Sequence, residues 1–277
     1  MQPDSKAFLN RTAIKYIAVI SMVIDHIAWL FLEQGTLSAN ILHFFGRLSA
    51  PTMLYFLVRG YIHTSSRQKY MLRLFIFALI SWGPYYMYYN FVFGENAGIL
   101  RDTGNINGGG IFNIADIFNV SNIFNGADIF HFGMIFSLFT GVLSLYCYDL
   151  YISHKSGLFY FILEIIALSL LSNLGDWGII SVMLPLLLYI FKDNKKLEIT
   201  VFIGCLAVYV IIDFILARDI AHELYVLGVF LAPAMIYTLY NGESGNGEGK
   251  VRIFRRYFFY VFYPLHFLIL LFLNAQF

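Results

Sequence analysis

Most stretches of this chain that are long enough to form a helix are also apolar enough to enter a bilayer. In lipid every backbone N–H and C=O must be satisfied within the protein, so only helices and closed barrels can span. Apolar runs of about 20 residues match the helical solution. The 277 residues are 59% hydrophobic and only 13% charged, with a mean hydropathy of +0.70. A water-soluble domain of this length is not composed this way. The sequence predicts an all-α fold: a polytopic transmembrane helical bundle of about nine spans. They fall near 14–32, 41–62, 70–93, 130–152, 157–173, 177–191, 197–217, 224–240 and 257–275.

The basic residues orient those spans. With the N-terminus inside, the inner segments carry Lys6, Arg11, Lys15, Arg67, Lys69, Arg73, Lys155, Lys192, Lys195, Lys196, Lys250, Arg252, Arg255 and Arg256. The outer loops carry only Arg101 and Arg218, while Arg47 and Arg59 lie within the second span. This asymmetry sets the N-terminus inside, and an odd number of spans sets the C-terminus outside. The first span is expected to be an uncleaved helix of a multi-pass protein of a cell membrane, with lipid as its surroundings. The net charge of +1 gives no reason to expect a nucleic-acid partner. Residues 1–277 are expected to form a single transmembrane domain with an outer loop inserted at 94–129. That loop repeats Ile-Phe-Asn at Ile111, Ile117 and Ile123. It reads either as a duplicated segment lying on the membrane surface or as a lid over an outward-facing site.

Asp25 and His26 stand in the middle of the first span, and such groups are expensive at that depth. They normally face a polar cavity and serve a pathway or a reaction. Lys15 precedes His26 by eleven positions, about three helical turns, which places both on one face roughly 16 Å apart along the axis. Further polar groups are expected at a similar outer level: Arg47, Asp213, Asp176 in a short turn, and His266 in the last span. Consecutive helical residues point about 100° apart, so Asp25 is expected to pair with Arg47 rather than to orient His26. On an unbroken second helix Arg47 and Arg59 would lie within roughly 120° of each other. Arg59 can also snorkel to the inner headgroups. Cys147 and Cys205 form no metal or disulfide pattern, and no metal site is expected. No nucleophilic serine elbow, zinc-binding HExxH or phosphate loop is present.

Several strings resemble the TraX family in order along nearly the whole chain. They are Lys15 to His26 (KYIAVISMVIDH), Phe45 to Pro51 (FGRLSAP), Gly60 to Thr64 (GYIHT), Lys69 to Leu74, Asp176-Trp177-Gly178, Tyr240-Asn241-Gly242 and Phe259 to His266 (FYVFYPLH). The loop at 94–129 has no counterpart. Lys15 and His26 are also similar to the basic-x10-His signature of the wider integral-membrane acyltransferases, in which the histidine is implicated in transfer. The resemblance implies an acetyl-CoA-dependent acyltransferase, and the family's namesake acetylates the N-terminus of a conjugative pilin. The acceptor stays open between a pilin-like protein N-terminus, a glycan and a lipid.

On that reading acetyl-CoA, as co-substrate, enters from the inner side toward Lys15 with Arg59 or Arg73. His26 acts as base or acyl carrier, Arg47 or a backbone group near Pro51 supports the oxyanion, and Asp213 or His266 sets the His26 tautomer. The competing expectations are a proton-coupled transporter or channel using the buried Asp, His and Arg groups, and a non-catalytic membrane partner of a secretion machine.

Overall fold

The computed structural model describes residues 7–93, 131–216, 224–245 and 249–276, without the side chains of 249–253, 255 and 256. The expected loop at 94–129 therefore lies outside the described residues. Ten α-helices follow in order among them: α1 Arg11–Phe31, α2 Leu37–Gly46, α3 Ser49–Ile62, α4 Arg67–Phe93, α5 Met134–Ile152, α6 Leu158–Leu171, α7 Ile180–Ile190, α8 Lys195–Leu216, α9 Leu231–Leu239 and α10 Gly249–Asn274. Short 3₁₀ turns at Ser172–Leu174 and Leu224–Phe230 lead out of α6 and into α9. Among the described residues five helical stretches are long and apolar enough to cross a membrane: Arg11–Phe31, Leu37–Ile62, Met134–Ile152, Lys195–Leu216 and Tyr257–Asn274. The stretches Leu158–Leu174, Ile180–Ile190 and Leu224–Leu239 are apolar but shorter.

The second expected span is not one regular helix. It breaks between Gly46 and Ser49, with Arg47 as the C-cap of α2. Pro51 explains the position. A proline has no N–H to give the carbonyl four residues back, and its ring crowds that carbonyl; here it belongs to Arg47. Pro51 is tolerated because it falls in the first turn of α3. The phase between Arg47 and Arg59 is therefore not that of a single helix. Pro233 stands at the same place in α9, directly after the 3₁₀ turn.

The bundle turns apolar side chains outward. Phe159, Leu163, Ile166 and Leu170 of α6 are exposed, as are Ile211, Ile215 and Leu216 of α8. Water would penalise such a surface, whereas lipid is a good solvent for it. Inside, small residues bring α5 and α7 together. A Cβ on Gly141 would stand 2.6 Å from the Ser181 carbonyl oxygen. Ser144 Oγ donates to the Gly141 carbonyl at 2.7 Å and lies 3.2 Å from that of Val182. Close backbone approach with hydroxyl cross-links is how helices associate where no hydrophobic force separates lipid from protein.

Two polar ties anchor one end of the bundle. Asp149 of α5 accepts from the hydroxyls of Tyr61 and Tyr189 and pairs with Arg67 at 2.6 Å. Arg59 donates to both oxygens of Glu198, at 2.7 and 2.8 Å, and its Nε donates to Tyr55 Oη. Tyr237 completes that group at 3.1 Å from Glu198, so α3, α8 and α9 meet there. Glu198 is buried (4% exposed), and stripping a buried charge of its partner costs about 3 kcal/mol or more. Glu198→Ala is expected to lower the unfolding midpoint in detergent sharply, and a paired Arg59→Met, Glu198→Leu replacement to recover most of the loss. Equal midpoints for Glu198→Ala and wild type would show that this pair does not hold the three helices.

Candidate functional site

Two cavities meet inside the bundle. The first, of about 490 Å³, is lined by Arg11, Lys15, Lys69 and Arg73 together with His63, Tyr70 and the Thr64–Ser66 turn, and no Asp or Glu lines it among the described residues. The second, of about 210 Å³, is lined by Asp25, His26, Arg47, Asp176 and His131 with an aromatic wall of Trp29, Tyr85, Tyr88, Tyr89 and Trp177. Met22, Ser49, Met134 and Tyr263 line both. They form a neck between a cationic chamber and a histidine-bearing chamber.

Local structure builds the cationic chamber. Asn10 caps α1 by accepting from the Ala13 N–H at 2.9 Å. The preceding strand-like residue Leu9 bonds to the backbone of Leu239 and Asn241 at 2.9 Å each, and Arg11 N–H reaches the Glu243 carbonyl. These bonds fix Arg11 at the chamber wall, where its Nε is buried without a hydrogen-bond partner among the described residues. Lys15 is half-buried, with its ammonium 5.8 Å from the Phe56 ring centroid and 5.6 Å from that of Phe259. Arg73 lies against Tyr70 and Tyr260. Aromatic faces hold a cation in place without neutralising it, so the positive charge of this chamber remains available to an anion.

The histidine chamber rests on two hydrogen-bond chains. In the first, His26 Nδ1 lies 2.9 Å from His266 Nε2, and His266 Nδ1 lies 3.3 Å from the Phe262 carbonyl oxygen. The carbonyl can only accept, so His266 carries its proton on Nδ1 and presents a bare Nε2. His26 must then donate from Nδ1, which leaves its own Nε2 unprotonated. His26 lines the chamber and His266 does not; the free Nε2 is therefore the nitrogen a bound molecule would meet. Tyr88 Oη donates to the His26 carbonyl at 2.8 Å and locks α4 onto this turn of α1.

In the second chain Asp25 Oδ1 lies 2.8 Å from His43 Nδ1, and His43 Nε2 lies 3.0 Å from Gln34 Oε1. Gln34 uses its amide nitrogen on the Ala28 and Leu32 carbonyls, which turns its oxygen toward His43. The direct partner of Asp25 is thus His43, not the expected Arg47, which acts on Asp25 as a neighbouring positive charge. Gly46 makes this possible: a Cβ there would fall 2.4 Å from the Asp25 Cβ. A third contact comes from the turn after α6. Asp176 accepts from Tyr85 Oη and lies 3.4 Å from His131 Nε2. The Phe132 N–H, bonded to the Leu174 carbonyl at 2.5 Å, holds the start of α5 beside that turn. Among the described residues no group of three or more His, Cys, Asp or Glu side chains could hold a metal ion.

The profile of the family described as "TraX protein" matches residues 10–100 and 120–274. The chain belongs to the TraX family. It is also similar to the "Probable fimbrial assembly protein FimC, serogroup H1" of Dichelobacter nodosus, 28% identical over 260 residues that cover 91% of each chain. No solved structure matches it. TraX membership implies an acyltransferase-like activity, and with five membrane-length apolar helices it makes the chain a multi-pass protein of a bacterial inner membrane.

Within this TraX protein the residues singled out from sequence divide clearly. Asp25, His26 and Arg47 line the histidine chamber, and His266 stands directly behind His26. Lys15 and Arg73 line the cationic chamber. Arg59 lines neither; its guanidinium is committed to Glu198 and Tyr55. Asp213 also lines neither, and acts as a charge near Arg47. Sequence reasoning passed over His43, His131, Arg11 and Tyr263. A glycine inside an apolar run, Gly46, was the available sign that another side chain crosses close to α2. Gly46→Ala is expected to push Asp25 off His43 and to cost about 1–3 kcal/mol, the range for overpacking a filled site. Thermal unfolding in nanodiscs measures it, and wild-type stability for the alanine variant would refute the close packing of α1 on α2.

Proposed function

We propose that this protein transfers the acetyl group of acetyl-CoA, held in the cationic chamber, to an amine or hydroxyl acceptor in the histidine chamber. The single observation that carries the reading is the shared neck: a chamber with four cations, and no acid among its described lining residues, adjoins a chamber whose histidine offers an unprotonated Nε2. Coenzyme A is a polyanion with a slender pantetheine arm ending in the reactive thioester. Its phosphates match Arg11, Lys15, Lys69 and Arg73, and the arm matches the path from Lys15 to His26 along α1. A role for Arg59 in binding is not supported, because Glu198 already neutralises it.

The chemistry follows from the hydrogen-bond chain. The acceptor N–H or O–H gives its proton to His26 Nε2 as the acceptor atom attacks the thioester carbonyl carbon. The C–S bond breaks, and the proton on His26 returns to the CoA sulfur as it leaves. His266 fixes the tautomer and faces the imidazolium that forms. Asp25 and Arg47 set the surrounding field, with Asp213 acting on it through Arg47. Nine spans with the N-terminus inside place Lys15 at the cytoplasmic face and His26 in the outer half of the bilayer. The whole chain then works as one transmembrane domain that passes an acetyl group outward, with residues 94–129 inserted on the outer side. The name of the Dichelobacter nodosus relative makes a fimbrial protein the first acceptor to try, ahead of a glycan hydroxyl or a lipid headgroup.

The test uses purified protein in nanodiscs with acetyl-CoA. His26→Ala is expected to bind acetyl-CoA normally and to lose activity by about 10²–10⁴-fold, the usual contribution of a general base. Lys15→Ala is expected to weaken binding, and binding to wild type should weaken with added salt as phosphate contacts are screened. A folded wild type that binds no acetyl-CoA, or an active His26→Ala, would overturn the reading and favour a proton-coupled transporter, for which ion flux in proteoliposomes is the check.

A further inference from the structure

The neck carries a second chemical demand. If acetyl-CoA approaches from the cationic chamber and the acceptor waits beside His26, the thioester carbonyl must lie where the two chambers join. As the acceptor adds, the carbonyl oxygen gains a full negative charge inside the bundle, between Met22, Met134, Ser49 and Tyr263. A preorganised donor at that place is worth far more than one in water.

Four side chains line both chambers, and Met22 and Met134 have no hydrogen to donate. Tyr263 and Ser49 remain. Tyr263 is 5% exposed and Ser49 7%, so neither hydroxyl faces bulk solvent. The Met134 N–H donates to Tyr263 Oη at 2.7 Å. That bond occupies the oxygen as acceptor and leaves the phenol hydrogen for another partner, and among the described residues it has none. A hydroxyl that already accepts one hydrogen bond donates a stronger one. The position is also made to measure: a Cβ on Gly133 would fall 2.2 Å from Tyr263 Oη, so the glycine keeps open the space the hydroxyl fills. Tyr263 stands one turn before His266 on α10, with ring centroids 5.5 Å apart. One turn of helix thus supports the base and presents this donor.

We propose that Tyr263 is a catalytic residue whose phenol O–H donates to the thioester carbonyl oxygen as that oxygen becomes an oxyanion, with the Ser49 hydroxyl as a second donor at the neck. The proposal rests on the acetyl-transfer reading of the two chambers. No proton is transferred by Tyr263. The oxyanion forms when the acceptor adds, is held by the O–H, and collapses as the C–S bond breaks; His26 handles the proton of the acceptor throughout.

The test is isotope-edited infrared spectroscopy of acetyl-CoA carrying ¹³C at the carbonyl, bound to the full chain in nanodiscs. It is paired with CoA release in membrane vesicles of the source bacterium, which hold the native acceptor. A donor at the carbonyl lowers its stretching frequency. Wild type is expected to show that lowering relative to free acetyl-CoA. Tyr263→Phe is expected to lose most of it and to drop in kcat by about 10²-fold, the effect of removing one oxyanion donor, with KM changed less than about threefold. Ser49→Ala should show a smaller change in the same direction.

Because phenylalanine also strips the Met134 N–H of its acceptor, 3-fluorotyrosine at position 263 serves as a second variant. It keeps the oxygen and is a stronger donor, so the stretch should fall further than in wild type. An unchanged stretch in both variants overturns the assignment even if the rate falls, because a purely structural tyrosine would slow the enzyme without touching the carbonyl. An unchanged kcat in Tyr263→Phe overturns it as well. Failure of wild type to bind acetyl-CoA sinks the acetyl-transfer reading and this proposal together, whereas binding and turnover with an indifferent Tyr263 sinks this proposal alone.

Discussion

The constraint behind this fold is that a polar group inside a membrane protein has no water to fall back on. Each one must find a partner within the bundle, and here the partners sit on different helices. His26 of α1 meets His266 of α10, Asp25 of α1 meets His43 of α2, and Tyr85 of α4 meets Asp176 in the turn after α6. These contacts therefore do two things. They satisfy groups that would otherwise be costly to bury, and they draw α1, α2, α4 and α10 around one chamber. The apolar contacts that fill the bundle are non-directional and could not choose that arrangement alone, since lipid competes equally well for an apolar helix face.

Charge is distributed along the same logic. Cations that have found a carboxylate, such as Arg59 on Glu198 and Arg67 on Asp149, act as ties between helices. Cations held by aromatic rings, such as Lys15 and Arg73, have no carboxylate partner among the described residues. The distinction depends on the partner and not on the residue type. Sequence shows basic residues near one end of several spans but cannot show which of them meets an acid, because Glu198 lies far from Arg59 along the chain.

What was legible in the sequence follows from this. Apolar runs bounded by basic loops marked helices where helices occur, because length and hydropathy act locally. The three-turn spacing of Lys15 and His26 gives the two one helical phase, but they line different chambers, Lys15 the cationic one and His26 the histidine one, because helical phase does not say where a cavity ends. The break at Arg47 was readable in principle from Pro51 but was masked by continuous hydropathy across it. The pairing of Asp25 was misjudged because the turn between α1 and α2, which lays His43 beside Asp25, is set by packing at Gly46 and not by any local signal. Asp213 was named from depth, which does not determine which side of a helix faces the chamber, and Arg59 from a helical phase that the break at Arg47 removes.

The neck has a consequence for how such a protein would handle a co-substrate that cannot cross a membrane. Under the acetyl-transfer reading the polyphosphate meets four cations in one chamber, whereas Arg47 shares the other with Asp25 and Asp176, and no cation stands among Met22, Ser49, Met134 and Tyr263 between them. Moving that much charge past a constriction that holds no cation would carry a large desolvation cost. The pantetheine arm has no such charge, and the unbranched, soft methionine side chains can make way for it. Selectivity for the acetyl group over the carrier then needs no gate. The cationic chamber holds the carrier back, the neck admits the arm, and only the small acyl group is exposed to the acceptor beside His26.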